Sequence, residues 1–83
     1  MSRHTTIINH PGGIPSYLNY GWDHALGFWI DELQNPIDDE EDICLWEASE
    51  TIDGIGEVIS KFKEFEEFIP PRFYNAFMRK EPF

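Results

Sequence analysis

Hydrophobic and polar positions alternate most regularly between Tyr17 and Leu33. Leu18, Tyr20 and Trp22 fall on one side of a strand, with Tyr17, Asn19, Gly21 and Asp23 on the other. After Asp23-His24-Ala25, Leu26, Phe28 and Ile30 share a side, with Gly27, Trp29 and Asp31 opposite. Aromatic and β-branched residues suit such a half-buried pleated surface. Asp23 bonds its own backbone readily in a tight connection, so the stretch predicts a hairpin. A helix over Asp23–Leu33 competes through Leu26, Trp29, Ile30 and Leu33, but Gly21, Gly27 and the aromatic density count against it.

Two further stretches read as strands. Thr5-Thr6-Ile7-Ile8 predicts a short first strand within a loop-rich segment, residues 1–16. Asn9–Pro15 has turn chemistry, and its Gly12-Gly13 pair lacks the Lys and the following helix of a phosphate loop. Ile43–Ala48 predicts another strand, with Ile43 and Leu45 on one side and Cys44, Trp46 and Ala48 on the other. This pattern makes Trp29 and Trp46 candidate cross-strand neighbours.

The period changes after Ser49. Ile52, Ile55, Ile59 and Phe62 form a helical stripe that Val58, Phe65 and Ile69 widen. Ser49 or Thr51 opens this helix and Pro70-Pro71 ends it, while Gly54 and Gly56 weaken its start. A second, short helix follows from Pro71, with Phe73, Ala76 and Phe77 on one side and Arg79 and Lys80 at its end. Residues 81–83 read as a frayed end. The expected fold is α+β: a small antiparallel sheet of three to four strands, with a long C-terminal helix and a short one packed on one face.

At 83 residues the chain has room for one domain. Cys44 is the lone cysteine, and its Ile43 and Leu45 neighbours predict a buried, inert thiol in a reducing compartment. With no bilayer-length apolar run and no secretory pattern, the expected location is the cytoplasm of the source cell or of a host cell.

Charge narrows the choice of partner. The net charge is −10, from 16 acidic and 6 basic residues. Direct binding to nucleic acid or to an anionic membrane is disfavoured, because both depend on Lys and Arg. Twelve acids lie between Asp23 and Glu57 with no Lys or Arg among them. Such segregation predicts an acidic surface that steers toward a basic protein. Its candidate residues are Asp31, Glu32, Asp38, Asp39, Glu40, Glu41, Asp42 and Glu47, with 34–42 as an exposed acidic loop. Asp38–Asp42 lacks the Gly and the alternating ligands of a calcium loop.

Candidate chemistry is sparse. His4, His10, His24 and Cys44 form no close pair of the kind zinc sites use, so neither a metal nor another cofactor is expected. Ser16, Ser49 and Ser60 lack a nucleophile-elbow setting, and no catalytic residue is assigned. Helices on one side of the sheet leave aromatic residues over for the other. Trp22, Trp29 and Trp46 are therefore candidate interface residues, for a partner or for a homodimer.

The stretch Tyr20-Gly21-Trp22-Asp23-His24-Ala25-Leu26-Gly27-Phe28-Trp29 resembles the opening of short bacterial proteins to which no activity is assigned. It covers about a tenth of the chain and implies no functional residue. In size and acidity the chain also looks like phage-encoded inhibitors such as anti-CRISPR proteins, some of which mimic nucleic-acid charge. The leading expectation is a non-enzymatic acidic interaction module, in its sharpest form an inhibitor of a nucleic-acid-binding surface. The alternatives are an accessory subunit or homodimer held by an aromatic sheet face, and a small metal-dependent enzyme.

Overall fold

The computed structural model describes residues 2–34 and 43–83, so the acidic run Asp38–Asp42 lies outside the described residues. Four strands form one antiparallel sheet in chain order: β1 (His4–Ile8), β2 (Ser16–Asp23), β3 (Gly27–Gln34) and β4 (Ile43–Ser49). Helical segments follow: α1 (Glu50–Asp53), α2 (Ile55–Glu64), a 3-10 turn (Glu66–Phe68) and α3 (Pro71–Met78). This is a small α+β fold.

The hairpin forms where the alternation places it, with Asp23 paired to Gly27. The Asp23 carboxylate accepts hydrogen bonds from the Ala25 and Leu26 N–H groups at 2.7 and 3.2 Å, which closes the turn. Gly27 completes it with φ +71°, a left-handed conformation that a side chain would strain.

Register divides the sheet into two faces. Ile8, Leu18, Tyr20, Phe28, Ile30 and Ala48 point to one side and are buried against Val58, Phe62, Ile69 and Phe77. Phe62 stacks on Phe77 with ring centroids 3.8 Å apart, and Phe28 meets Phe77 edge-on at 5.2 Å. Core burial on this side is the main source of stability.

The helical layer departs from one long helix. Gly54, at φ +92°, separates α1 from α2. Ile52 thereby leaves the expected apolar stripe and is 76 % exposed. α2 stops at Glu64, and the 3-10 turn carries the chain to Ile69 before Pro70-Pro71. Within residues 81–83, Glu81 and Pro82 are exposed, while the Phe83 ring lies 5.6 Å from His4 and 5.7 Å from Phe73. Among the described residues, no helix is long and apolar enough to cross a membrane.

Candidate functional site: the uncovered sheet face

The core helices α2 and α3 and the 3-10 turn pack on the Leu18–Ile30 side, while α1 meets Trp29, Asp31 and Glu47 at the β3–β4 end, so the rest of the other side has no helical cover among the described residues. Three rows of side chains cross that face. Ile7, Tyr17, Leu33 and Cys44 are successive cross-strand partners and make an apolar row. Ile7 is 56 % and Tyr17 37 % exposed, and Cys44 is exposed. Thr5, Asn19, Asp31 and Glu47 make the polar row beside it. Gly21, Trp29 and Ser49 follow in the third.

Hydrogen bonds link three of the four residues of the polar row. Thr5 Oγ1 donates to Asn19 Oδ1 at 2.7 Å, and Asn19 Nδ2 donates to Asp31 Oδ1 at 2.9 Å. The amide is thereby oriented with its N–H toward the carboxylate. Asp31 then lies opposite Glu47, a like-charged pair that a sheet ordinarily disfavours. Partial burial pushes the Asp31 carboxyl above its ordinary value; Glu47 adds to the rise, while the Asn19 hydrogen bond and the Arg3 charge oppose it.

Several expected site residues lie elsewhere. Trp46 pairs with Glu32 and Trp29 with Ser49, so the two indoles are not neighbours. They also sit on opposite faces, because Glu32 and Trp29 are an odd number of residues apart on β3. Trp46 faces the helices, stacked on Phe65 at 5.2 Å with Lys61 Nζ 4.6 Å from its ring. Trp22 also lies on the helical side, packed against the core. Of the three candidate interface tryptophans, only Trp29 belongs to the uncovered face.

Glu32 leaves the acidic surface as well, since it is 6 % exposed. Trp46 Nε1 donates to its Oε1 at 2.8 Å, and Ser16 Oγ donates to its Oε2. His10 Nε2 lies 2.9 Å from the same Ser16 hydroxyl. Ser16 has one proton and gives it to Glu32, so His10 donates to the serine oxygen. A serine, an imidazole and a carboxylate thus meet, but in an order unlike that of a nucleophilic triad, where the imidazole stands between the other two. Ser16 is also wholly buried, which closes its oxygen to a substrate. The cluster ties the Asn9–Pro15 loop and β4 to the centre of the sheet.

Cys44 is exposed rather than buried. The sheet irregularity at Glu32/Leu33 pairs Cys44 with Leu33 instead of continuing the Trp46 side, which turns it to the uncovered face. Desolvation, with the Glu47 and Asp31 charges, raises its thiol pKa, which keeps the less nucleophilic protonated form. Among the described residues, no group of three or more His, Cys, Asp or Glu side chains is placed to hold a metal ion.

No family model matches the chain, and neither a curated protein nor a solved structure matches it significantly.

Proposed function

We propose that the protein is a non-enzymatic interaction module that presents its uncovered sheet face to a basic protein partner. The observation that carries this reading is the Ile7–Tyr17–Leu33–Cys44 row beside the Asp31–Glu47 pair, on a sheet whose core helices α2 and α3 pack on the other side. An apolar strip supplies area to desolvate, and adjacent acids supply long-range attraction and register. The net charge of −10 adds a field of the same sign around the whole chain. Proteins with nucleic-acid-binding surfaces carry the complementary charge, so an inhibitor occupying such a surface is the sharpest form of the proposal.

The test is affinity capture from nuclease-treated lysate at low and at high salt. A basic partner held at low salt and released at high salt is expected. Retention that is indifferent to salt contradicts the electrostatic part of the reading.

A second reading is favoured by the apolar row alone: two copies joined through Ile7, Tyr17 and Leu33. The like-charged Asp31 and Glu47 would then approach their own copies, a cost that a basic partner does not incur. Solution mass separates the readings. A stable dimer dissociated by Tyr17→Lys supports self-assembly.

A further inference from the structure

A more specific contact can be placed on this face, and it rests on the interaction-module reading. A recess of about 170 Å³ opens where β3 and β4 meet α1. Trp29, Asp31 and Glu47 of the sheet line it, together with Leu26 from the hairpin and Ile52 and Asp53 from α1. That volume is below the several hundred Å³ of a typical small-molecule pocket and suits a single side chain.

Its chemistry selects the kind of side chain. Three of the lining residues are carboxylates and none is basic. Asp31 and Glu47 stand opposite each other, and neither has an ion-pair partner among the described residues. Asp53 uses one oxygen to accept from the Ser49 N–H at 3.0 Å, which leaves the other free of protein partners among the described residues. The three are not grouped as metal ligands are. A wide, flat cation answers this spread better than a point charge, because a guanidinium carries five donors in a plane.

The aromatic wall points the same way. Cations sit favourably over indole and benzene faces. This protein already pairs them so, with Lys61 over Trp46 and Arg72 over Phe73, each 4.6 Å from the ring centroid. Among the described residues no cation covers Trp22 or Trp29, and of these two indoles only Trp29 lines the recess. Arg3 lines a separate recess on the neighbouring surface of Trp29 and Asp31, and not this one. At the rim, Ile52 offers exposed apolar surface to the flanks of an incoming segment.

We propose that this recess receives an arginine side chain of the basic partner, its guanidinium among the Asp31, Glu47 and Asp53 carboxylates and its flat face against the Trp29 indole. The arginine neutralises the unfavourable Asp31–Glu47 pair. The partner is thereby selected for an arginine in an accessible, basic segment.

The test is a nuclear magnetic resonance titration of the intact chain with a blocked Gly-Arg-Gly peptide, following the indole N–H signal that Trp29→Phe removes. The control peptide replaces arginine by citrulline, which keeps the shape and loses the charge. A saturable shift with the arginine peptide alone is expected, weakened at least tenfold in the Glu47→Gln, Asp53→Asn double variant. The spectrum of that variant reports whether its fold is intact. Equal shifts with the citrulline peptide, no saturable shift, or undiminished binding by the folded double variant overturns the proposal. The broader reading fails separately. If the salt-sensitive partner is still captured by the double variant with unchanged strength, the recess is not the contact and the interaction module stands. If the peptide binds but no salt-sensitive partner exists, the recess stands without that module.

Discussion

Asp31 and Glu47 face each other across β3 and β4 on the uncovered side of the sheet. Like charges directly opposite one another weaken strand pairing. Retaining both beside an exposed apolar row fits a surface completed by a cation from elsewhere.

Asp31→Asn is therefore expected to stabilise the isolated protein at neutral pH. The amide oxygen still accepts from Asn19, while the repulsion and the cost of burying the charge are removed. The pH dependence follows from the raised Asp31 pKa. The native state holds the proton over a window, upward from the ordinary aspartate value of about 3.9, in which the unfolded chain has released it. Through that window Asp31 subtracts stability as the pH rises. Urea midpoints across mildly acidic to neutral pH should show a component that falls with pH in the parent and is lost in Asp31→Asn.

The Glu32 cluster gives the opposite expectation. Trp46→Phe keeps the aromatic packing on Phe65 and removes one donor to a buried carboxylate. Ser16→Ala removes the other. Each is expected to destabilise by about 1–3 kcal/mol, because a buried acceptor is left short of a partner. Chemical denaturation measures this, and the double variant should depart from additivity, since both donors serve one group.

Part of this arrangement is legible in the chain and part is not. Alternation over Tyr17–Leu33 sets the hairpin and the faces of Leu18, Tyr20, Phe28 and Ile30, because the sheet period is local. The turn at Asp23 is equally local. The relation of Trp46 to Trp29 is not, since it depends on register across β3 and β4 and on the irregularity beside Leu33. The same irregularity exposes Cys44. Glu32 reads as one more acid in an acidic stretch, yet Ser16, 16 residues away, and Trp46, 14 residues away, bury it. No spacing rule announces such a meeting. The exposed apolar row has the same origin: Ile7, Tyr17, Leu33 and Cys44 become one feature only through the strand order.

Gly54 and Gly56 differ in what they do, although both reduce helix propensity. Gly54, at φ +92°, makes the break between α1 and α2. Gly54→Ala is expected to cost more than about 1 kcal/mol through backbone strain. A methyl group added at Gly56 meets nothing within 4 Å. Gly56→Ala is expected to gain up to about 1 kcal/mol. Thermal unfolding of the two variants should shift in opposite directions.

His4 stacks on Phe73 with centroids 4.0 Å apart, and its buried Nε2 has no hydrogen-bond partner among the described residues. Such an atom costs about 1–3 kcal/mol. His4→Phe keeps a flat ring among Tyr20, Phe73 and Phe83 and removes the orphaned nitrogen. A higher urea midpoint is the expected result, and a lower one would show that the imidazole is needed.

The most direct measurement of the central claim is partner capture by two charge-matched variants, each first shown to be folded. Tyr17→Lys places a cation in the apolar row of the uncovered face, and Ser60→Lys places one at an exposed position on α2. Loss of the salt-sensitive partner with Tyr17→Lys, and its retention with Ser60→Lys, is the predicted result. Equal retention by both variants, or loss only with Ser60→Lys, would contradict the assignment of the uncovered sheet face as the interaction surface.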